Sequence, residues 1–81
     1  MRVKVRLFAR LRDLVGTGEL EQDLPASATA QTVWNGLVAT SPSLAEYERA
    51  ISVAVNTEYA RMSAVLADGD EVAFLPPVSG G

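Results

Sequence analysis

The sequence predicts an α+β domain in which a mixed β-sheet packs on one main helix. The first observation is a strict alternation of apolar and basic residues over 2–8, which is typical of a half-buried strand. The second is an apolar stripe at helical spacing within residues 30–40. The third is a series of short alternating segments after residue 50. Together they predict the element order ββαβββ.

The N-terminal strand is followed by a second strand through a partly helical connection. One side of the first strand is apolar and the other basic, with Val3, Val5 and Leu7 against Arg2, Lys4 and Arg6. Leu11, Leu14 and Val15 then recur at helical spacing before Gly16. Alternation returns over 17–24, so we expect these two strands to form a hairpin.

The main helix is predicted over residues 30–40. Its apolar stripe consists of Val33, Trp34, Leu37 and Val38. We expect Thr29 or Thr32 to cap its N-terminus, and Ser41-Pro42 to end it. Ser43 and Glu46 have the spacing of a capping box, which favours a short helical turn over 44–49.

Three further strands complete the predicted sheet. Ile51, Val53 and Val55 share one side of the third strand. Asn56-Thr57 is a plausible tight turn into a short strand at 58–60, and a turn at 68–70 precedes the last strand at 71–75. We therefore divide the chain into a domain at 1–75 and an extended tail at 76–81.

Composition limits the chemistry that side chains can supply. A chain of 81 residues forms one core, and 48% hydrophobic with 21% charged residues favours a folded domain over disorder. There is no cysteine and no histidine, which removes thiolate nucleophiles and the commonest general base and metal ligand. Asp68, Asp70 and Glu71 lack the spacing of a calcium loop. We expect no metal and no cofactor bound by this chain alone.

Charge is distributed unevenly along the chain. Five of the seven basic residues lie within residues 1–12, whereas all ten acidic residues follow them. The sequence pI of about 4.7 argues against nucleic acid binding, so the basic side of the first strand is interpreted as a solvated face. No apolar run is long enough for a transmembrane helix or a signal peptide. We therefore expect a cytoplasmic protein that does not bind a membrane.

The tail is the segment in which reactive chemistry is predicted. It reads Pro-Pro-Val-Ser-Gly-Gly, and the two prolines cannot continue the donor pattern of a strand. Gly80 and Gly81 have no Cβ, so the backbone can enter a passage too narrow for side chains. The candidate reactive group is the carboxylate of Gly81, which requires activation, for example as an acyl adenylate, by partner enzymes. The alternative is a frayed polar terminus.

Three segments carry a resemblance to a known family. They read FARLRDLVG at 8–16, VAVN at 53–56 and DGDEVAFLPPVSGG at 68–81. With them the chain resembles the ubiquitin-like β-grasp sulfur carriers, and within these the small subunits of molybdopterin synthase. The resemblance covers essentially the whole chain, although residues 17–50 match only in pattern. It implies a ubiquitin-like β-grasp fold with an extended C-terminal tail.

The resemblance also implies a sulfur-transfer function in molybdenum cofactor biosynthesis. An adenylating enzyme like the ubiquitin activators would use ATP and Mg to adenylate Gly81. A sulfurtransferase or cysteine desulfurase would then supply the sulfur of a thiocarboxylate. The tail would enter the large subunit of molybdopterin synthase, within a heterotetramer, and deliver sulfur to cyclic pyranopterin monophosphate. The chain would thus be the sulfur-donating subunit of a transferase complex and not catalytic alone.

An apolar docking surface is predicted at the base of this tail. Strand parity places Phe8 and Leu75 on the face opposite the core, and Tyr59 ends up near them on the short strand. In the family, residues matching these three pack against the partner. The tail residues Pro76, Pro77, Val78 and Ser79 complete the candidate partner-binding set. The alternative is that Phe8 caps the sheet edge and Leu75 completes the core.

Three other functions remain open from the sequence. The same tail suits a sulfur carrier for thiamine synthesis or another pathway. It also suits a ubiquitin-like protein modifier that forms isopeptide bonds with lysines. A bare interaction module without tail chemistry is the fourth possibility.

Overall fold

The fold is a five-stranded mixed sheet with one long helix packed on one face, seen in a computed structural model that describes residues 1–77. In chain order the elements are β1 (Arg2–Leu7), α1 (Ala9–Val15), β2 (Glu19–Asp23), α2 (Ala30–Thr40), a 3₁₀ helix (Pro42–Tyr47), β3 (Ser52–Val55), β4 (Glu58–Ala60) and β5 (Glu71–Leu75). This arrangement confirms the predicted α+β class and the ββαβββ order.

The sheet is organised around a central parallel pair. Its strand order is β2-β1-β5-β3-β4, with β1 parallel to β5 and every other neighbouring pair antiparallel. The register places Leu7 opposite Phe74 and Arg6 opposite Ala73. The first and last strands are therefore neighbours, and the chain leaves the sheet from its centre.

The core lies between the inner face of the sheet and α2. Trp34 of α2 and Phe74 of β5 are both fully buried, with ring centroids 5.2 Å apart. The Trp34 Nε1–H donates a hydrogen bond to Glu48 Oε1 at 3.1 Å, so the buried indole keeps a polar partner. The other large fully buried side chains are Leu7, Leu11, Leu44, Val3, Val5, Val33 and Val72.

Helix α2 begins and ends where the sequence predicted, and both candidate caps contribute. The Thr32 backbone N–H donates to Thr29 Oγ1 at 3.3 Å, and the Thr29 N–H donates to Thr32 Oγ1 at 3.0 Å. The prediction named Thr29 or Thr32 as alternatives, whereas the structure uses the two reciprocally.

The short helical turn after α2 differs from the prediction that placed it over 44–49. It is a 3₁₀ helix that begins at Pro42, two residues before the predicted start, and Ser43 lies inside it instead of capping it. A proline at the first helical position loses nothing by lacking an N–H, because that group has no partner within the helix. The first two strands are shorter than predicted: β1 ends at Leu7, and β2 spans only Glu19–Asp23.

A side-chain network ties the β3–β4 turn to the start of β5. Asn56 Nδ2 donates to Asp70 Oδ1 at 2.9 Å, and the Glu71 N–H donates to Asn56 Oδ1 at 2.9 Å. The Ala67 N–H donates to Asp70 Oδ2 at 2.8 Å. The hydrogen bond from Asn56, followed by that from Ala67, lowers the pKa of Asp70 below its usual value of 3.8.

Among residues 1–77 there is no helix with both the length and the apolar character needed to cross a bilayer.

The Asp70 network predicts an acid-sensitive contribution to stability. A carboxyl whose pKa is lowered by folding stabilises the protein above its usual pKa and loses this effect as the pH falls below 3.8. We expect Asp70→Asn to lower the free energy of unfolding by about 0.5–1 kcal/mol at pH 7, because an amide has one acceptor oxygen instead of two. Urea unfolding at pH 7 and pH 3 should show the difference from wild type shrinking at the lower pH.

The matched control is Asp13→Asn, since Asp13 is an exposed carboxylate with no hydrogen bond in the described part of the chain. Asp13→Asn should change the free energy of unfolding at pH 7 by no more than about 0.5 kcal/mol, because it removes no hydrogen bond of the described structure. An Asp70→Asn difference that is equally large at pH 3 would contradict the role given to the ionised carboxylate.

Candidate docking surface and carrier tail

The outer face of the sheet has a charged half built from β1 and β2. Arg2 forms ion pairs with Glu21 at 3.4 Å and Asp23 at 2.9 Å, and Lys4 lies 3.7 Å from Glu19. The hydrogen bond from Arg2 is the main cause that lowers the pKa of Asp23. The basic side of β1 is exposed, as the predicted solvated face requires, and two of its charges are paired with carboxylates of β2.

The other half of the outer face is apolar and concave. It contains a depression of about 250 Å³. The residues that line it are Arg6, Phe8, Ala54, Thr57, Tyr59, Glu71, Ala73 and Leu75. This set is hereafter called the docking depression.

Strand pairing explains why these residues meet. Ala54 on β3 pairs with Ala73 of β5 on one side and with Tyr59 of β4 on the other. Because side chains alternate along a strand, these three share the outer face with Leu75, two residues beyond Ala73. Small alanine side chains lie between larger neighbours, and this difference in size makes the surface concave.

The predicted patch residues lie together in the docking depression. Phe8 is 37% exposed and Tyr59 is 79% exposed, while Leu75 is half-buried. The placement of Phe8 and Leu75 on the outer face follows the predicted parity, and neither belongs to the buried core. Their role in binding a partner stays a prediction.

The charged groups of the docking depression are directed at one another. The Arg6 Cζ lies 5.5 Å from the Phe8 ring centroid, a cation–π geometry. Arg6 Nη1 also lies 4.0 Å from Glu71 Oε1. One cation and one anion thus offset each other, so the depression presents little net charge.

Sequence reasoning missed several residues of the docking depression. Ala54 and Ala73 were detectable in principle, because parity places both on the outer face, but an alanine gives no signal of a cavity. Thr57 was assigned only to a turn, and nothing in the sequence brings that turn beside Glu71 at the start of β5. The contact requires the β3–β5 pairing, which joins residues about 20 positions apart.

The tail begins at the wall of the docking depression. Leu75 is both the last residue of β5 and a lining residue. Pro76 is half-buried and Pro77 is exposed. The remaining predicted site residues, Val78, Ser79, Gly80 and Gly81, lie outside the described residues, so the reactive group assigned to Gly81 stays a prediction.

Within residues 1–77, no group of three potential metal-ligating side chains is found. The expectation that this chain binds no cofactor alone remains a prediction.

Comparison with known proteins gives consistent results for sequence and structure. The model of the ThiS family matches residues 5–81. The molybdopterin synthase sulfur carrier subunit of Arabidopsis thaliana is 42% identical over 79 residues, which cover 98% of this chain and 82% of that protein. The small archaeal modifier protein 1 of Haloferax volcanii is 34% identical over 84 residues, covering 94% and 97%. A crystal structure of SAMP1 from Haloferax volcanii superposes with a TM-score of 0.85 at 32% identity, covering both chains in full.

The difference in exposure between Phe74 and Phe8 predicts that substituting the buried one costs much more stability. We expect Phe74→Ala to lower the free energy of unfolding by about 3–5 kcal/mol, because it leaves a cavity beside Trp34. Phe8→Ala should cost about 1 kcal/mol or less, since the ring is partly exposed and its removal opens no cavity. Urea unfolding measures both changes. A larger loss for Phe8→Ala than for Phe74→Ala would place Phe8 in the core.

Proposed function

We propose, since the chain belongs to the ThiS family, that it works as the sulfur carrier subunit of a molybdopterin synthase. The proposed cargo site is the carboxylate of Gly81. The observation that carries this proposal is the position of the docking depression, which adjoins the first residues of the tail. The family match extends through residue 81, and a curated relative named as such a subunit is 42% identical.

The proposed chemistry follows from the inertness of a carboxylate. An oxygen of Gly81 attacks the α-phosphorus of ATP on an adenylating enzyme, pyrophosphate leaves, and the acyl adenylate now carries AMP as a good leaving group. A persulfide on a sulfurtransferase or cysteine desulfurase displaces AMP to form an acyl disulfide. A second thiol of that partner then cleaves the S–S bond, which releases the thiocarboxylate and leaves a disulfide on the partner. The thiocarboxylate sulfur attacks cyclic pyranopterin monophosphate, and water then cleaves the acyl–sulfur bond, which leaves the sulfur on the acceptor and returns Gly81 to a carboxylate. Mg and ATP belong to the adenylating enzyme, and we place the cycle in the cytoplasm, where ATP is available.

The domain and the tail have separate proposed roles: the domain binds the large subunit, and the tail carries the sulfur into its active site. Six residues from Pro76 to Gly81 span about 20 Å at 3.3–3.6 Å each, which is enough to reach a buried active site. The two terminal glycines allow a narrow entry channel. The docking depression supplies apolar surface for the large subunit of the synthase at the point where the tail leaves. Phe8, Tyr59 and Leu75 are the proposed contacts, together with Pro76, Pro77, Val78 and Ser79.

A protein modifier is the second candidate function. It is favoured by the 34% identity to the small archaeal modifier protein 1. A modifier would use the same adenylated glycine but pass it to a lysine amine, forming an isopeptide bond. A sulfur carrier for thiamine or another pathway would differ only in the acceptor.

The reactive role of Gly81 predicts that the length of the tail is critical. We expect deletion of Gly81, or addition of one residue after it, to abolish sulfur transfer in a synthase assay reconstituted with the large subunit, the adenylating enzyme, ATP with Mg, and a sulfur donor. The melting temperature should not change, because β5 ends at Leu75. One residue added before Met1 is the matched control and should retain activity. Full activity in either tail variant would defeat the proposal.

Mass spectrometry of the intact protein separates the two candidates. A sulfur carrier isolated from its host, or incubated with the adenylating enzyme and the sulfur donor, should gain the mass difference of one sulfur replacing one oxygen. A modifier should instead appear as lysine-linked adducts on other proteins. Adducts without any sulfur-containing form would favour the modifier.

Substitutions in the docking depression should lower the affinity for the large synthase subunit without a comparable loss of stability. We expect Phe8→Ala and Leu75→Ala to weaken binding to the large synthase subunit by about 1–3 kcal/mol, because each removes apolar contact at the centre of the interface. Isothermal titration calorimetry measures the change. Val65→Ala is the matched control, since Val65 is 69% exposed and lies outside the depression. Unchanged affinity with a large fall in melting temperature would assign Phe8 or Leu75 to the fold alone.

A further inference from the structure

Strand β2 lies at one edge of the sheet and β4 at the other, and β2 is the longer, with five residues against three. Within residues 1–77 the one sheet neighbour of β2 is β1. The bonds just outside the strand, from the Leu7 N–H to the Gly18 carbonyl and from the Leu24 N–H to the Met1 carbonyl, also run to the β1 side. A strand edge without a neighbour offers a row of backbone N–H and C=O groups to a further strand. The opposite side of β2 is therefore open, and it is hereafter called the β2 edge.

The outer side of β2 is a continuous row of carboxylates. Glu19, Glu21 and Asp23 alternate along the strand, and their side chains are 57%, 55% and 75% exposed. The cations that face them are the two ion-paired residues of β1 and, beside Asp23, the N-terminal ammonium. Asp68 lines the same shallow depression as Glu21 and adds a fourth carboxylate. Four negative charges thus face three positive ones, so the row keeps a negative charge and stays open to solvent.

The inner side of β2 is uncharged. Leu20 is half-buried and packs against the core, as does Leu24 just after the strand. Gln22, between them, donates a hydrogen bond to the Val33 carbonyl at 3.5 Å, and it lies so close to α2 that a Cβ at Gly36 would be 3.4 Å from it. No residue of α2 carries a charge. A strand that pairs with the β2 edge therefore places its inward side chains against uncharged and partly apolar surface.

Charge excludes a second copy of β2 from this edge. Acidic residues occupy all three outward positions of the strand. An antiparallel pair of β2 strands with matched faces therefore sets at least one carboxylate directly opposite another in every register. Glu21 lies opposite Glu21 of the second copy in the symmetric register, and opposite Glu19 in the next. Because like charges directly opposite each other destabilise a strand pair, the occupant must be a different strand.

The strand that already pairs with β2 shows what such an occupant needs. β1 sets Arg2 opposite Asp23 and Lys4 opposite Glu21 on the outer face, and Val3, between its two cations, is buried on the inner face. Alternating basic and apolar residues thus satisfy both faces of β2 at once. A further strand with this pattern repeats the arrangement on the other side of β2.

We propose that the β2 edge is a second binding site, which takes up an extended segment of a partner protein in which basic and apolar residues alternate. The backbone of this segment continues the sheet. Its basic side chains lie along the row of carboxylates, and its apolar side chains lie over Leu20 and the uncharged side of α2. No residue of β2 lines the docking depression, so both sites can be occupied at the same time. This inference goes beyond the proposed function and does not depend on the chemistry of the tail.

The first test titrates the full chain with a synthetic peptide of three lysine–valine repeats, blocked at both ends, in isothermal titration calorimetry. We expect saturable binding with a Kd below about 1 mM, and NMR shift changes at the amides of residues 19–24. Two control peptides replace lysine by glutamate or valine by serine. Each should bind about tenfold more weakly or worse, because one loses the charge pairs and the other the apolar contacts.

The second test removes the row of carboxylates from the chain. We expect the triple variant Glu19→Gln, Glu21→Gln and Asp23→Asn to bind the lysine–valine peptide about tenfold more weakly than wild type, because three cross-strand charge pairs are lost. Its melting temperature should stay close to that of wild type, since exposed ion pairs contribute little to stability.

The matched control removes the same total charge away from β2. Asp13→Asn, Glu46→Gln and Glu58→Gln are combined at three exposed positions, and this variant should bind within about twofold of wild type. Equal weakening in the two triple variants would reduce the binding to net charge and overturn the proposal. So would a lysine–valine peptide with no binding below about 1 mM, or one whose shift changes lie in the docking depression. The comparison of peptides needs no variant, and equal affinity for the glutamate peptide would also overturn the proposal.

Discussion

The parallel pairing of β1 with β5 is the constraint on which the rest of the structure depends. Its register sets Leu7 opposite Phe74 and so directs both side chains to α2, where Phe74 meets Trp34. The residues that come next, Phe8 just after β1 and Leu75 at the end of β5, then lie on the opposite face. A shift of one residue would exchange the two faces, exposing the core residues and burying the docking surface. Core and docking depression are therefore two results of one pairing.

On the outer face of the sheet, the ion pairs of β1 and β2 lie apart from the apolar docking depression. Along β1 and β2, Arg2 and Lys4 find carboxylates on the neighbouring strand, so these two cations are paired without a partner. Exposed ion pairs of this kind contribute little to stability. Their effect here is that the apolar surface is confined to the half of the sheet face that contains Leu75. A partner that binds the apolar half does not have to desolvate the ion pairs of Arg2 and Lys4.

Local patterns predicted the elements, whereas their contacts depended on pairing between distant segments. Strict alternation placed Val3 and Val5 in the core, and the stripe containing Trp34 gave helix α2 with its observed bounds. Parity also put Phe8 and Leu75 on the outer face. Thr57 was missed because its neighbours come from β5, and Ser43 was wrongly taken as a cap because Pro42 already starts the 3₁₀ helix. The reactive role predicted for Gly81 came from the absence of cysteine and histidine and from the Gly-Gly ending of the tail, whereas its place in molybdopterin synthesis came from the family resemblance.

The central position of β5 has a mechanical consequence. The tail continues from a strand that is hydrogen-bonded on both sides, to β1 and to β3. Tension applied to the tail along the strand direction loads all of these bonds in shear at the same time, instead of peeling them apart one after another as it would at a sheet edge. A partner can therefore grip and release the tail repeatedly while the domain at its base resists being pulled open.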